Sequence, residues 1–260
     1  MPLRILIQML LLAAGMAGAR IVFAGPVVTI ATGEYQPWTS EHLPHGGFIN
    51  HVVTEAFRAQ GIETRFVYLP WKRTLEDTRQ GVYDATSYWY YKAEREQDFI
   101  HSPPVNHERI VFFGRKGRVP ERWSTLAELA GLRIGATRGF TYSDEFWRLA
   151  GAGLLNVEQV RSDELNMRKL IAGRIDLFPV GEQSGWHILM HDFSEKDRNG
   201  LFTLQPPLAE VDGYILFSRK RPEVGRWVAA FRTGLQSLEK SGRLAQMRQD
   251  LVEGRYSTGP

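Results

Sequence analysis

The 260-residue sequence contains no cysteine, which excludes disulfide bonds, thiolate metal sites and a cysteine nucleophile. The fold must therefore be held together by hydrophobic cores, and a chain of this length can bury one or two of them. Long hydrophobic runs are also missing after the first 24 residues, so the rest of the sequence offers no candidate for a membrane-spanning helix. We expect a globular chain without covalent cross-links.

Recognisable catalytic motifs are absent as well. The serine within residues 181–185 is misplaced for a nucleophile elbow, and the pair His107–Glu108 lacks the second histidine of a zinc-binding helix. No glycine-rich phosphate loop occurs. His42, His45 and His51 match no common ligand spacing, so we interpret them as solvated loop histidines and expect neither a metal nor a cofactor.

The first 24 residues have the layout of a secretory signal peptide. Arg4 provides a positively charged start, residues 5–17 are apolar, and residues 22–24 form a small-residue cleavage pattern. We therefore predict a signal peptide at residues 1–24 and a periplasmic location, with an uncleaved membrane anchor as the alternative. Cleavage would remove Arg4, Arg20 and no acidic residue, which lowers the formal net charge from +3 to +1. Without a dense basic stripe, this charge argues against nucleic-acid binding.

Segments typical of strands and helices alternate along the rest of the chain. The first run predicts strands at 27–32, 64–69 and 83–88 and helices at 48–60 and 70–81. The second run predicts strands at 132–137, 175–180 and 213–218, helices at 125–131, 143–150, 163–172 and 223–240, and a frayed tail at 256–260. Such alternation predicts an α/β fold with mainly parallel sheets.

Two short segments echo each other within this pattern. Residues 80–85 and 172–177 share one pattern. In each, a predicted helix ends at a glycine, which is followed by a variable residue, an apolar residue, an aspartate and then a strand. Two lobes of similar construction would produce this repeat.

An aromatic run provides the main functional signal from residue chemistry alone. Four consecutive aromatic residues at 88–91 precede a charged segment with Arg95 and a turn at 102–104. Aromatic faces bind flat or cationic groups, and a guanidinium matches a carboxylate. The combination indicates a small-molecule pocket. The alternative is structural, with two aromatic residues in the core and Arg95 paired to a surface glutamate.

Six phrases, in this order, resemble the extracellular solute-binding proteins of family 3, periplasmic receptors associated with uptake of polar amino acids. They are VTIATGEYQPW, GGFINHVVTEAF, LPWKRTLEDTRQGVYDA, AEREQDFIHSPP, LAELAGLRIGATRGFTY and LIAGRIDLFPV. The resemblance implies a periplasmic binding protein type II-like α/β fold, in which two α/β lobes are joined by a double-crossing hinge. A ligand would bind in the cleft between them. Lobe 1 would comprise residues 25–106 plus 213–260, and lobe 2 residues 107–212.

The resemblance also implies ligand-binding positions in the first lobe. Tyr35 and Trp71 would enclose the ligand between aromatic rings, and Arg95 would bind its α-carboxylate. The positions where the family often presents small hydroxyl residues are Ser87, Tyr88 and Tyr90.

In the second lobe, Phe140 and Thr141 fall in a loop that begins a helix, where backbone N–H groups suit an anionic group. Arg138, between a strand and a glycine, would meet a ligand carboxylate when the cleft closes.

Two departures from the family leave the ligand open, and the first is that the bulky Tyr88 and Tyr90 occupy positions where the family often presents small hydroxyl residues. Second, amino-acid binders of the family usually place an acidic residue in the second lobe to pair with the ligand's ammonium group, whereas Gly181 occupies this position here. Either the ligand is not a standard α-amino acid, or Glu182 or Glu34 supplies the charge.

The sequence therefore predicts a non-enzymatic binding protein. We expect it to capture a small polar or charged solute, amino acid-like or carboxylate-bearing, for uptake through the membrane permease of an ABC transporter. We expect a monomer. Two alternatives are a ligand-sensing module that acts through a partner protein and a dehydratase-type enzyme on the same fold, in which Glu182, His187 and the arginines would supply acid–base groups.

Overall fold

The computed structural model describes residues 25–257, so the predicted signal peptide lies outside the described residues. The strands are β1 (Val27–Thr32), β2 (Glu63–Tyr68), β3 (Ala85–Tyr90), β4 (Phe99–His101), β5 (Asn106–Arg115), β6 (Arg133–Thr137), β7 (Asn156–Val160), β8 (Leu177–Gly181), β9 (Leu201–Thr203) and β10 (Ala209–Ser218). The helices are α1 (Phe48–Arg58), α2 (Trp71–Arg79), α3 (Asp144–Gly151), α4 (Asp163–Ile171), α5 (Glu182–Asp192), α6 (Glu195–Asn199), α7 (Val224–Lys240) and α8 (Arg243–Val252).

Two long strands divide the sheet into two lobes. The strand order is β2-β1-β3-β10-β5-β8-β6-β7, with β4 added to β10 and β9 added to β5. β1 is parallel to β2 and β3, and β6 is parallel to β7 and β8, as the alternating pattern predicts. β5 and β10 instead run antiparallel to each other and to their other neighbours, because they carry the chain from one lobe to the other. The residue boundaries of the lobes stay a prediction.

The first lobe packs helices against its half of the sheet. The predicted apolar face of α1 is buried, including Phe48, Val52 and Phe57. Phe57 contacts Trp227 and Phe231 of α7 edge-on or tilted, with ring centroids 6.5 and 5.4 Å apart. Burial of such aromatic side chains is the main stabilising contribution of a core.

Serine residues begin two helices of the second lobe beside the cleft. Ser143, the predicted cap of α3, accepts a hydrogen bond from the backbone N–H of Phe146 at 3.1 Å. Ser162 caps α4 in the same way through the N–H of Leu165. These bonds satisfy amide groups that a helix end otherwise leaves unpaired. The predicted cap at Thr125 differs, because its segment forms only a short 3-10 turn and its hydroxyl makes no capping bond.

Residues 258–260 of the predicted frayed tail lie outside the described residues, and Tyr256 differs from the prediction. Tyr256 is buried against Phe48, with ring centroids 5.6 Å apart, and its hydroxyl lies 2.7 Å from Nδ1 of His51. His51 is therefore a buried helix residue rather than a solvated one. None of the helices within residues 25–257 is long and apolar enough to cross a membrane.

Candidate functional site

A cleft between the lobes contains a cavity of about 650 Å³. Its first-lobe wall comes from the loop after β1 and the start of α2, and its second-lobe wall comes from the ends of β6 and β7. The first lobe contributes mainly aromatic and acidic side chains, namely Glu34, Tyr35, Glu41, Tyr68 and Trp71. The second lobe contributes Thr137, Arg138, Phe140, Arg161, Asp163 and Glu164. The volume is in the range of cavities that bind small molecules.

The aromatic residues predicted to enclose a ligand meet at this cleft. Tyr35 is buried, and its ring lies edge-on to Phe140 of the other lobe with centroids 5.4 Å apart. Trp71 lies at the first turn of α2, and its Nε1 donates to the backbone oxygen of Glu34 at 3.2 Å. A smaller cavity of about 40 Å³ adjoins these rings, and Thr141 also lines it. Aromatic walls therefore come from both lobes.

Tyr88 and Tyr90 form the floor beside this smaller cavity. Their rings lie 6.0 Å apart and face the same side of β3, as strand alternation predicts. The ring of Tyr88 packs against Gly213 of β10. A Cβ atom at position 213 would lie 1.6 Å from this ring. A side chain at position 213 would therefore displace Tyr88.

The hydroxyl groups of Tyr35, Tyr88 and Tyr90 converge on Glu108, a residue that was not predicted from the sequence. Tyr88 donates to Oε1 of Glu108 at 2.5 Å, Tyr90 donates to the same oxygen at 3.2 Å, and Tyr35 donates to Oε2 at 3.2 Å. The signal was present in β5, because Glu108 shares a strand face with the buried Ile110 and Phe112. An acidic residue in a core register indicates a special environment.

Burial sets the protonation of this cluster. It raises the pKa of Glu108 to about 7, and the hydrogen bonds from the tyrosines oppose that rise. Burial and the neighbouring Glu108 raise the pKa of the Tyr35, Tyr88 and Tyr90 phenols well above the usual value. The phenols therefore remain neutral hydrogen-bond donors, while Glu108 can change its charge near neutral pH.

A second buried carboxyl group faces the cleft from lobe 2. Asp163 is the first residue of α4, and Thr137 at the end of β6 donates to its Oδ1 at 2.5 Å. Asn166 donates to the Thr137 hydroxyl at 2.9 Å. Burial raises the pKa of Asp163 to about 7. Asp163 was not predicted from the sequence either, because the pattern of residues 163–172 indicates only a helix.

The structure places Arg95 behind the floor rather than in the cavity wall. The side chain is buried, its Nη1 donates to the backbone oxygen of Tyr90 at 2.7 Å, and Cζ lies 4.8 Å from the Trp89 ring centroid. Ser87 is also directed away from the cleft and donates to Oδ1 of Asn50 at 3.0 Å. Binding of a ligand carboxylate by Arg95 stays a prediction.

The remaining predicted residues separate into two groups. Arg138 is exposed and lines the cavity, and no ion pair involves it or Arg161 among residues 25–257. Glu182 does not line the cavity, since its Oε2 accepts from Nη1 of Arg109 at 2.9 Å. His187 bridges the lobes through a 3.1 Å contact with Gln36.

No cluster of three or more potential metal-binding side chains occurs within the part of the chain that the structure describes. His45 stacks on His51 with ring centroids 3.9 Å apart. His42 instead lies at the rim of the cleft.

Comparison with known proteins places this geometry in a family. The profile of the bacterial extracellular solute-binding proteins, family 3, matches residues 28–252, and the chain belongs to that family. This establishes a periplasmic binding protein type II-like fold, as predicted. A comparison with curated protein sequences gives no significant match.

Solved structures share the fold at low sequence identity. A histidine kinase sensor domain with similarity to periplasmic binding proteins has a TM-score of 0.73 at 18% identity, covering 87% of this chain and 96% of that one. The GluR0 ligand-binding core from Nostoc punctiforme, in complex with L-glutamate, has a TM-score of 0.71 at 16% identity, covering 88% and 99%. The amino acid ABC transporter substrate-binding protein AbpA from Streptococcus pneumoniae, bound to L-arginine, has a TM-score of 0.71 at 14% identity, covering 89% and 97%.

Proposed function

We propose that the protein is a periplasmic solute-binding protein that captures a small polar or charged solute between its lobes. The observation that carries the proposal is the cavity of about 650 Å³ whose walls come from both lobes. The contacts of Tyr35 with Phe140 and of Gln36 with His187 join those walls. A ligand in this position would be enclosed by closure about the crossing strands β5 and β10.

The chemistry of the walls favours an amino acid-like or carboxylate-bearing solute. Arg138 and Arg161 supply guanidinium groups at the second-lobe side of the cavity, and a guanidinium binds a carboxylate through paired hydrogen bonds. Trp71 and Tyr35 supply aromatic faces for the rest of the solute. Structural relatives that bind L-glutamate and L-arginine support this class of ligand.

A thermal-shift screen tests the proposal. Purified protein, stripped of bound solute by unfolding and refolding, is heated with amino acids, polyamines and small carboxylates. A ligand at 100 times its dissociation constant adds about 2.7 kcal/mol to the free energy of unfolding. We expect one chemical class to raise the melting temperature by several degrees, with calorimetry giving one site per chain. A flat response across the whole screen would contradict the proposal.

We propose ABC-type uptake as the purpose of binding, with a membrane permease as the partner and the monomer as the working form. Deletion of the gene should abolish uptake of the radiolabelled solute that the screen identifies. The alternative is a sensing module, which is favoured by the similarity to a histidine kinase sensor domain. In that case the deletion would leave uptake intact and remove a transcriptional response to the same solute.

An enzymatic role would leave a different trace. A binding protein returns its solute unchanged, so NMR spectra of the solute should be identical before and after incubation with the protein. Appearance of a product would instead support the dehydratase-type alternative, with Asp163 and Glu108 as the acid–base groups nearest the cleft.

A further inference from the structure

Two histidines lie one helical turn apart on α5, on the side of the second lobe that contacts the first. The ring centroids of His187 and His191 are 4.3 Å apart, and neither ring forms an ion pair within residues 25–257. Residues four positions apart occupy the same face of a helix. The two ring planes are inclined at 44°, so they intersect, and the in-plane lone pairs of two ring nitrogens can point to a common position.

The first lobe contributes an oxygen atom beside this pair. Oε1 of Gln36, in the loop after β1, lies 3.1 Å from Nε2 of His187. Zinc bonds to nitrogen and oxygen are about 2.0–2.2 Å long, so two ligand atoms of one tetrahedral zinc are about 3.3 Å apart. Gln36 also lines the cleft cavity together with Ile188, the residue after His187. The two imidazoles and the amide oxygen therefore lie at the edge of the cleft, between the lobes.

His45 and His51 form a second pair with a different geometry. Their rings are stacked, with centroids 3.9 Å apart and planes only 8° apart. The lone pairs of parallel rings run side by side and do not converge. Nδ1 of His51 is also engaged, since it lies 2.7 Å from the Tyr256 hydroxyl. Of these two pairs, only that on α5 can direct two nitrogens at one ion.

We infer that His187 and His191, with Gln36 of the opposite lobe, bind Zn²⁺ or a similar transition-metal dication. Imidazole nitrogens suit Zn²⁺, Ni²⁺ and Cu²⁺, whereas Mg²⁺ prefers oxygen ligands. Two imidazoles and an amide oxygen provide three ligands, and a water molecule would complete the tetrahedral set. Since these ligands come from both lobes, the ion would hold the lobes together. The inference goes beyond the proposed function and does not depend on the identity of the solute.

Calorimetric titration with Zn²⁺ and Mg²⁺ tests the site, at neutral pH and on protein purified without a histidine tag. We expect Zn²⁺ to bind at one site per chain and Mg²⁺ not to bind. Even the loss of a residue that only orients a metal ligand weakens metal binding by about 10- to 100-fold. His191→Ala and His187→Ala each remove a ligand, so each should weaken Zn²⁺ binding at least about 10-fold.

Two controls separate metal binding from damage to the fold. His191 is exposed, so His191→Ala should leave the melting temperature of the metal-free protein unchanged. The matched control is His45→Asn, which removes one ring of the stacked pair. Asparagine tolerates the positive φ of 57° at this position. This variant should bind Zn²⁺ with the affinity of the parent protein.

Spin labels test whether the ion joins the lobes. The chain has no cysteine, so Lys72→Cys on α2 and Arg148→Cys on α3, both at exposed positions, give one label on each lobe. We expect Zn²⁺ to shift the distribution of label distances towards its short end. The same titration in the Gln36→Ala background should leave the distribution unchanged, because the first lobe then offers no ligand.

Each result decides one part of the inference. A parent protein that does not bind Zn²⁺, or His191→Ala and His187→Ala variants that bind it as tightly as the parent, would overturn the metal site. Loss of binding in His45→Asn would overturn it as well, because the ion would then belong to the stacked pair. Binding through both α5 histidines without a change in the label distances would overturn the connection between the lobes. The thermal-shift screen remains a separate test of the proposed function.

Discussion

In the first lobe, Asp84 accepts hydrogen bonds from the backbone N–H and the hydroxyl of Thr29 and pairs with Arg221. In the second lobe, Asp176 accepts from the backbone N–H of Arg133 and pairs with the guanidinium of the same residue. Each aspartate follows a glycine turn and joins its turn to the neighbouring strand. The echo between residues 80–85 and 172–177 therefore reflects one local design used in both lobes.

The same two lobes differ where they face the cleft. The first lobe offers Tyr35, Tyr88 and Tyr90, whose hydroxyls are held by a buried carboxyl group. The second lobe offers Arg138 and Arg161, which are exposed and have no ion-pair partner among the described residues. The two lobes therefore share the same aspartate contacts at their ends away from the cleft. The side chains that they present to a ligand in the cleft are different.

Substitution of Asp84 and Asp176 should have the largest effect on stability. Asp84 is 3% exposed and Asp176 is 19% exposed, so removing Asp84 leaves more buried groups unpaired. We expect Asp84→Ala to lower the free energy of unfolding by about 3 kcal/mol and Asp176→Ala by about 1 kcal/mol. Denaturant unfolding measures both. Equal losses of unfolding free energy would show that the aspartate stabilises both lobes to the same degree.

Substitution of Trp71 tests whether the aromatic residues of the first lobe bind the ligand. We expect Trp71→Ala to weaken binding of the solute found in the screen by about 2 kcal/mol, because the ring lines both cavities. Its melting temperature should change little. The control is Trp186→Ala, which removes a ring that packs on Phe113 away from the cleft. That variant should lose stability and keep its affinity; the reverse result would assign Trp71 to the core.

Two arginines compete for the ligand's carboxylate. The cavity geometry favours Arg138, so Arg138→Ala should weaken binding of a carboxylate by about 1–2 kcal/mol with unchanged stability. Arg95→Ala should mainly lower stability, because Arg95 holds the backbone of Tyr90 and contacts Trp89. Calorimetry and thermal melts separate the effects, with Arg118→Ala as an exposed control. If Arg95→Ala instead loses much of its affinity at an unchanged melting temperature, Arg95 binds the ligand's carboxylate as the family resemblance implies.

The buried carboxyls predict a modest pH dependence. In the folded protein burial raises the pKa of Glu108 from 4.5 and that of Asp163 from 3.8, both to about 7. Between these values the folded state binds more protons than the unfolded state, so stability falls as the pH rises from about 5 to 7. Each group contributes at most about 1.4 kcal/mol per pH unit. The phenols facing Glu108 do not titrate in this range.

Glu108→Gln and Asp163→Asn separate the two contributions. Denaturant unfolding of each variant is measured across the same pH range. The decrease in stability with rising pH should be smaller in each variant than in the parent protein. A parent protein whose stability is constant from pH 5 to 7 would show that neither carboxyl is held in its protonated form.

Much of the fold was predictable because its signals are local. The strand at Val27–Thr32 was predicted to the residue, and the buried face of α1 follows from its spacing of apolar residues. Crossing strand β5 and the first half of β10 were missed. The first halves of both strands mix polar and apolar residues where they cross between the lobes, which hides their strand pattern, whereas the apolar run at 110–113 of β5 was a strand signal that was overlooked.

The candidate site was predictable only in part. Tyr35, Trp71, Arg138 and Phe140 were predicted and all line the cleft. Glu108 and Asp163 were missed. Strand register gave a local signal for Glu108 alone, and the hydrogen-bond partners of both carboxyl groups lie far away in sequence. Tyr35 and Tyr88 reach Glu108 across 73 and 20 positions.

The sequence by itself determined the family, the alternation of strands and helices, and the aromatic residues available to a cleft. These properties depend on residue order and periodicity, which require no knowledge of distant neighbours. Only the tertiary structure decided that Arg95 lies behind β3, that Glu182 pairs with Arg109, and that Glu108 lies beneath the cleft. The orientation and charge of a polar side chain depend on what folding brings within a few ångströms of it, and that arrangement exists only once the lobes have assembled.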